Sequence, residues 1–349
     1  MTAPLPVAGP PQDDVAPEAQ GDDVRGAGAR VDAVRVRALE AIARTRAVGP
    51  HFFANVIGIS GLPRSGERSR LQLSCEPGTG PEISPVAVAT VADLTMSASI
   101  RAVLGPQRRL GTITMSLHHL EPVVVGPLTS EGTAVRVELD EERGFARCDL
   151  RDPRGALVAA VEAWFVALPT APGRTLGPVP WELPDDVPVP EVPEGELSAA
   201  ERSAFGTCLA AGRRATAAGT SFVEELLAGT WQPIGEDAVR GEIPVGPAHA
   251  NRGGQVQGGV LYGAAALGAG RVVADGMSLG DGRLSFLAPA DGDVLVVESR
   301  ALRHGRRTSF AESRLFVGDR LVATGEFAFH RVPGAVPVGE LLERPGGTT

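Results

Sequence analysis

The sequence predicts an α+β protein built from two copies of one unit, each a long apolar helix lying on a curved antiparallel sheet. Three observations carry the prediction. The segment GALVAAVEAWF (155–165) recurs as DRLVATGEFAF (319–329), where Leu157, Val158, Ala159, Glu162 and Phe165 match Leu321, Val322, Ala323, Glu326 and Phe329 at one constant offset. SLHHLEPVVVGPL (116–128) likewise matches RLSFLAPADGDVL (283–295), with Leu120 on Leu287 and Pro122 on Pro289. Each copy also runs in the same order: a helix, a strand, a long small-residue helix, then three or four strands.

Residues 1–28, rich in Pro, Gly, Ala and Asp, read as a disordered N-terminal segment. VDAVRVRALEAIARTRAV then spaces its apolar residues as a helix does and opens the first unit, 29–168. Within it SPVAVATVADLTMSASIRAVL is the long apolar helix, followed by Val- and Leu-rich strands. The prolines of 169–196 make a stiff linker with no packed element. The second unit, 197–332, opens on LSAAERSAFGTCLAAGRRATAAG, with Ser198 as N-cap and Glu201 as its capping-box partner. Residues 333–349 form a loose tail.

Bulk properties narrow the function. A length of 349 residues suits two ordinary domains, and with 43% hydrophobic but only 4% aromatic residues the cores must be Val, Leu and Ala. A net charge of -9 speaks against nonspecific nucleic-acid binding. No apolar run is expected to reach the ~18 residues of a membrane span. The N-terminus MTAPLPVAGPPQDD lacks the basic and apolar regions of a secretory leader. Cys75, Cys148 and Cys208 are isolated, which suggests reduced thiols and a cytoplasmic setting.

Two stretches carry candidate chemistry. NRGGQVQGGV (251–260) is no phosphate loop, because that motif needs a Lys and the chain has none; nor does it have dinucleotide spacing. There is no G-x-S-x-G elbow, no H-E-x-x-H and no Cys pair, so neither a serine nucleophile nor a metal is expected. His118 and His119 are adjacent on a strand and point to opposite faces, so they cannot share a site. What remains is a helix mouth. Gly258 and Gly259 would open an apolar helix whose first N–H groups lack partners and carry partial positive charge. The same residues are also those of a plain glycine loop closing onto a helix. The second stretch holds Asp93, the sole charge between Glu82 and Arg101. Asp93 either lies on a wet helix face or is a buried carboxylate with a raised pKa.

Together these features resemble the hotdog-fold thioesterases of the phenylacetate-pathway (PaaI-like) type. That family carries an Asn, six residues later a His-Gly-Gly at a helix start, an acid eight residues after the first Gly, and a hydroxyl ten residues before a strand-end Pro. Here the pattern is divided between the halves. The second half has Asn251 and Gln257-Gly258-Gly259, but Ala266 at the acidic position and Leu279 at the hydroxyl position. The first half has Asp93 and Thr112, but Ser84-Pro85-Val86 at the glycine positions and Gly78 at the Asn position. In the family two hotdogs pair, and each site takes its helix mouth from one and its acid from the other. The resemblance therefore implies a double hotdog, an intramolecular pseudo-dimer, with one complete site of Gly258, Gly259, Asn251 and Gln257 facing Asp93 and Thr112. The opposite site, with Pro85 and Ala266, would be dead.

What the resemblance implies is hydrolysis of an acyl-CoA or acyl-carrier thioester. Gly258 N–H would hold the carbonyl oxygen, and Asp93 would act as base or nucleophile. Thr112 would orient the water, and Asn251 would hold the loop or touch the thioester. No cofactor is expected, since CoA enters with the substrate. Arg303, Arg306 and Arg307 are candidates for its phosphates. The chain departs from the family at Gln257, where His is usual; a Gln donates a hydrogen bond but cannot titrate. Two rivals stand beside this reading: a hotdog that binds an acyl thioester without cleaving it, and a hydratase or dehydratase, which would want a central-helix His that is missing here. The resemblance leaves open whether chains also associate into a homo-oligomer.

Overall fold

The computed structural model describes residues 19–331 apart from 50, 79–81, 106, 170–175, 177–178, 180 and 182–188. The first half runs α1 (Ala19–Val48), α2 (Phe52–Val56), β1 (Ile59–Ser65), β2 (Arg68–Leu73), α3 (Pro85–Leu104), β3 (Arg109–His119), β4 (Leu128–Glu138), β5 (Arg143–Arg151) and β6 (Leu157–Leu168). The second half repeats it as α4 (Ala199–Ala218), α5 (Phe222–Leu226), β7 (Thr230–Gly235), β8 (Ala238–Pro244), α6 (Gly258–Gly270), β9 (Ser278–Phe286), β10 (Val294–Arg303), β11 (Thr308–Val317) and β12 (Arg320–His330). The expected α+β double hotdog is the observed architecture. A hairpin, rather than a single strand, precedes each long helix.

All the strands form one 12-stranded sheet in the order β1-β2-β4-β5-β6-β3-β9-β12-β11-β10-β8-β7. Read from its two ends inward, the order is the same in both halves. The halves meet where β3 pairs antiparallel with β9, with Thr114 opposite Ser285 and His118 opposite Asp281. That seam lies on a pseudo-two-fold axis. It brings α3 of one half against α6 of the other.

The two central helices are core elements because they are apolar on every side. In α3 the run Val86–Arg101 is buried, and in α6 so are Gly259–Ala266, Gly268 and Ala269. Their small residues allow close approach. A Cβ at Gly259 would stand 2.1 Å from Thr90 Oγ1, and one at Gly263 would stand 2.5 Å from Val86 Cγ2. These two contacts are related by the pseudo-symmetry, since 259 corresponds to 86 and 263 to 90. Against the expectation of no span-length apolar run, α3 with 20 residues is long and apolar enough to cross a membrane, yet 89% of its apolar window is buried inside the fold.

The flanking helices α1 and α4 pack on each other. Arg46 grips Glu201 through two hydrogen bonds of 2.6 and 2.8 Å, and the expected capping box of Ser198 and Glu201 is present. Two boundaries differ from expectation. Helix α1 begins at Ala19, inside the segment read as disordered; residues 1–18 lie outside the described ones. The linker, of which several residues fall outside the description, is not free of packing: Leu176, Val179, Trp181 and Val192 are buried. Proline stiffness did not prevent its apolar side chains from leaving water. The tail 333–349 lies outside the described residues. Cys75, Cys148 and Cys208 are free thiols.

Candidate active site

The loop before α6 is a tight turn tied by its own asparagine. Asn251 Oδ1 accepts from the backbone N–H of Gly253 at 2.8 Å and of Gln255 at 3.3 Å. Its N–H donates to Gln255 O at 2.7 Å, and Gly254 takes φ +78°, a region that favours glycine. The side-chain oxygen of Asn251 thus holds the loop, while the residue also lines the cavity. The turn delivers Gln257 as N-cap of α6, where the side chain makes no capping bond. The first-turn N–H groups of α6 are therefore left without a side-chain acceptor. The corresponding end of α3 is closed: Ser84 Oγ accepts from Ala87 N at 3.3 Å and Pro85 supplies no N–H.

Gln257 is turned elsewhere. Its Nε2 donates to Asp93 Oδ2 at 3.1 Å, across the boundary between the halves. Thr112 Oγ1 donates to Asp93 Oδ1 at 2.7 Å. A β-bulge aims this hydroxyl: in the pairing of β3 with β6 the register shifts between Thr112, opposite Phe165, and Thr114, opposite Trp164. Strand β9 has the same irregularity beside Leu279, opposite Phe329. Thr112 and Leu279 are thus structural equivalents, as are the repeat residues Phe165 and Phe329.

Asp93 is buried, 5% exposed, so it is not on a wet face. Burial pushes its pKa up from the ordinary 3.8 to about 6, against the pull of Thr112, Arg101 and Gln257. A Cβ at Gly258 would come within 3.0 Å of Asp93 Oδ2. Carboxylate and helix mouth thus face each other, and only a glycine leaves the space between them open. Asp93, Thr112, Asn251, Gln257 and Gly258 all line one cavity of about 320 Å³. A carbonyl placed there would meet a helix N-terminus on one side and a carboxylate on the other.

Two expectations are corrected. A Cβ at Gly259 would point at Thr90, so this glycine serves the helix crossing, and it does not line the cavity. Arg303, Arg306 and Arg307 lie at the far end of the second half-sheet. Arg331 donates to the carbonyls of Arg306 and Arg307, and His330 stands opposite Ser278 at the start of β9, whereas Phe286 at its other end lines the cavity. About eight residues of strand, roughly 27 Å, separate the two ends. The cations that do line the cavity are Arg101, Arg109 and Arg252, with His51 beside them. Arg101 could have been found, as the one other charge on the apolar α3. Arg252 lies inside the NRGGQVQGGV stretch but falls on no position of the family pattern, and His51 belongs to a segment that shares no spacing with Asp93.

The pseudo-symmetric position holds Pro85, Ala266 and Leu279 together along a cavity of about 300 Å³. It lacks an acid at 266, a hydroxyl at 279 and an N–H at 85.

No protein-family model matches the chain. It is similar to a Pseudomonas aeruginosa protein named "Putative esterase", with 38% identity over 89 residues, 24% of this chain. The match spans 66% of that relative's length, just under two thirds. Among solved structures it is similar to a hot dog fold protein of unknown function from Alicyclobacillus acidocaldarius (13% identity, 82% of this chain and 99% of that one, TM-score 0.49). It is also similar to the tesB protein of Mycobacterium avium subsp. paratuberculosis (14%, 78% and 96%, TM-score 0.49). A third likeness is to a Bacillus halodurans protein solved with CoA (16%, 40% and 98%, TM-score 0.36).

Proposed function

We propose that the chain is a thioester hydrolase with one working site, acting on an acyl-CoA or acyl-carrier thioester in the cytoplasm. The observation that carries this reading is the Asp93 carboxylate, buried between the Thr112 hydroxyl and the Gln257 amide and facing the uncapped mouth of α6. The thioester oxygen would sit against Gly258 N–H, where the helix dipole favours the charge that grows on it. Asp93 would take a proton from water as the oxygen adds to the carbonyl carbon, and return it to the departing sulfur as the C–S bond breaks. Direct attack by Asp93, giving an anhydride that water opens, uses the same geometry.

Gln257 donates to Asp93 and fixes the carboxylate's orientation. Thr112 does the same from the other side, so water would be held by the remaining lone pairs of this pair rather than by Thr112 alone. A hydratase reading fares worse, because neither α3 nor α6 contains a His. The purified chain, given a panel of acyl-CoAs and a thiol-trapping dye, should release free thiol from at least one. Release from none, with binding retained, would favour the non-cleaving alternative.

A further inference from the structure

The cavity that holds Asp93 continues to His51, the residue just before α2. His51 is 5% exposed, and neither Nδ1 nor Nε2 has a hydrogen-bond partner. Trp181, from the segment joining the halves, lies edge-on to it with ring centroids 4.8 Å apart, and its Nε1 is also buried without a partner. Two orphaned polar atoms, both on the imidazole of His51, thus belong to a residue that lines the cavity, with the Trp181 ring packed beside it. Buried donors and acceptors left unpaired are costly, and a protein rarely retains several together unless something else satisfies them. Burial lowers the pKa of His51 to about 3, helped by the charges of Arg101 and Arg252, both buried and both lining the cavity. The ring is neutral at working pH, with one donor and one acceptor nitrogen. Asp93 and Arg101 lie eight residues apart on α3, roughly 12 Å along its axis. A medium-length chain attached at a carbonyl beside Asp93 spans that distance.

We infer that His51, with Trp181 beside it, recognises an oxygen-bearing group on the acyl chain, so that the substrate class is a thioester of a hydroxy-, oxo- or carboxy-acyl group rather than of a plain alkanoyl group. This rests on the thioester reading of the Asp93 site. A plain alkyl chain would leave both imidazole nitrogens unsatisfied and press apolar surface against guanidinium groups. An oxygen there accepts from the imidazole N–H, and a hydroxyl can also donate to the other ring nitrogen.

The test uses non-hydrolysable S-alkyl-CoA thioethers, which read binding whether or not turnover occurs. Chains of four to ten carbons are compared in pairs, ω-hydroxy or ω-carboxy against unsubstituted, by calorimetry on the full chain. At the best length the oxygenated ligand should bind at least tenfold tighter. His51→Phe, which keeps a ring against Trp181, should bring the ratio to about one, and His51→Gln, which keeps a donor and an acceptor, should restore part of it; thermal melts establish that both variants fold. A ratio near one in the wild type, or a preference untouched by His51→Phe, overturns the inference. Equal thiol release from plain and oxygenated acyl-CoAs would overturn it while leaving the hydrolase reading intact. Absence of any thiol release, with the oxygen preference in binding preserved, would sink the hydrolase reading alone.

Discussion

Asp93 sits under two opposed demands. Its burial favours the protonated acid, while Thr112, Arg101 and Gln257 favour the carboxylate, and burial prevails. A group whose folded pKa is raised binds its proton more tightly in the folded state. The contribution of Asp93 to stability is therefore fullest below the ordinary 3.8 and is lost as pH rises through about 6. The shift of about two units corresponds to roughly 3 kcal/mol lost by neutral pH. Asp93→Asn, which never ionises, should accordingly raise stability at pH 8 by ~1–3 kcal/mol, and differ little from wild type near pH 4, as read by urea unfolding at both values. An equal effect at the two pH values would show that the carboxylate is not destabilised by burial. The same ionisation should appear in catalysis: kcat/KM rises with pH through about 6 and levels off above 7. Thr112→Val removes a hydrogen bond to the charged form and should move that rise to higher pH; an unmoved profile would separate Thr112 from the titrating group.

At the scale of elements, the two glycines at the start of α6 have different work. Gly258 faces Asp93 Oδ2, whereas Gly259 faces the backbone and side chain of Thr90. Gly258→Ala should cost about 100-fold or more in kcat/KM by crowding the carbonyl position, with little loss of stability. Gly259→Ala should cost ~2–3 kcal/mol of stability by forcing α3 and α6 apart. Melting curves beside rates separate the two, and interchanged effects would refute the assignment. Sequence spacing placed both glycines in the site because it gives the start of a helix but not the rotation of its first turn. Thr112 does lie at Asp93, where a bulge that no propensity announces turns the hydroxyl towards the carboxylate. The side chain of Asn251 ties the neighbouring loop locally.

At the scale of the molecule, the site exists because β3 pairs with β9 and carries α3 against α6. The repeat of Leu157–Phe165 in Leu321–Phe329 made that architecture legible, since two copies of a one-sided sheet must cover each other's helices. The pseudo-two-fold also explains the misplaced arginines. It turns the β10–β11 end of the second half towards the Pro85 position, away from Asp93, a consequence of topology that no local motif encodes. His51, Trp181, Arg101 and Arg252 come from four separate segments and meet only once the chain has folded. With Pro85, Ala266 and Leu279 in place of helix mouth, acid and hydroxyl, the second position should not turn over substrate. A thioether substrate analogue should titrate at about one per chain, and two equal sites would contradict the asymmetry.

The most direct measurement is kcat/KM for thiol release by wild type and Asp93→Asn on the best acyl-CoA at pH 8. If Asp93 acts on the carbonyl held at Gly258, the variant falls by roughly 10²–10⁴ while remaining folded. A variant as fast as the wild type would place the chemistry elsewhere in the molecule.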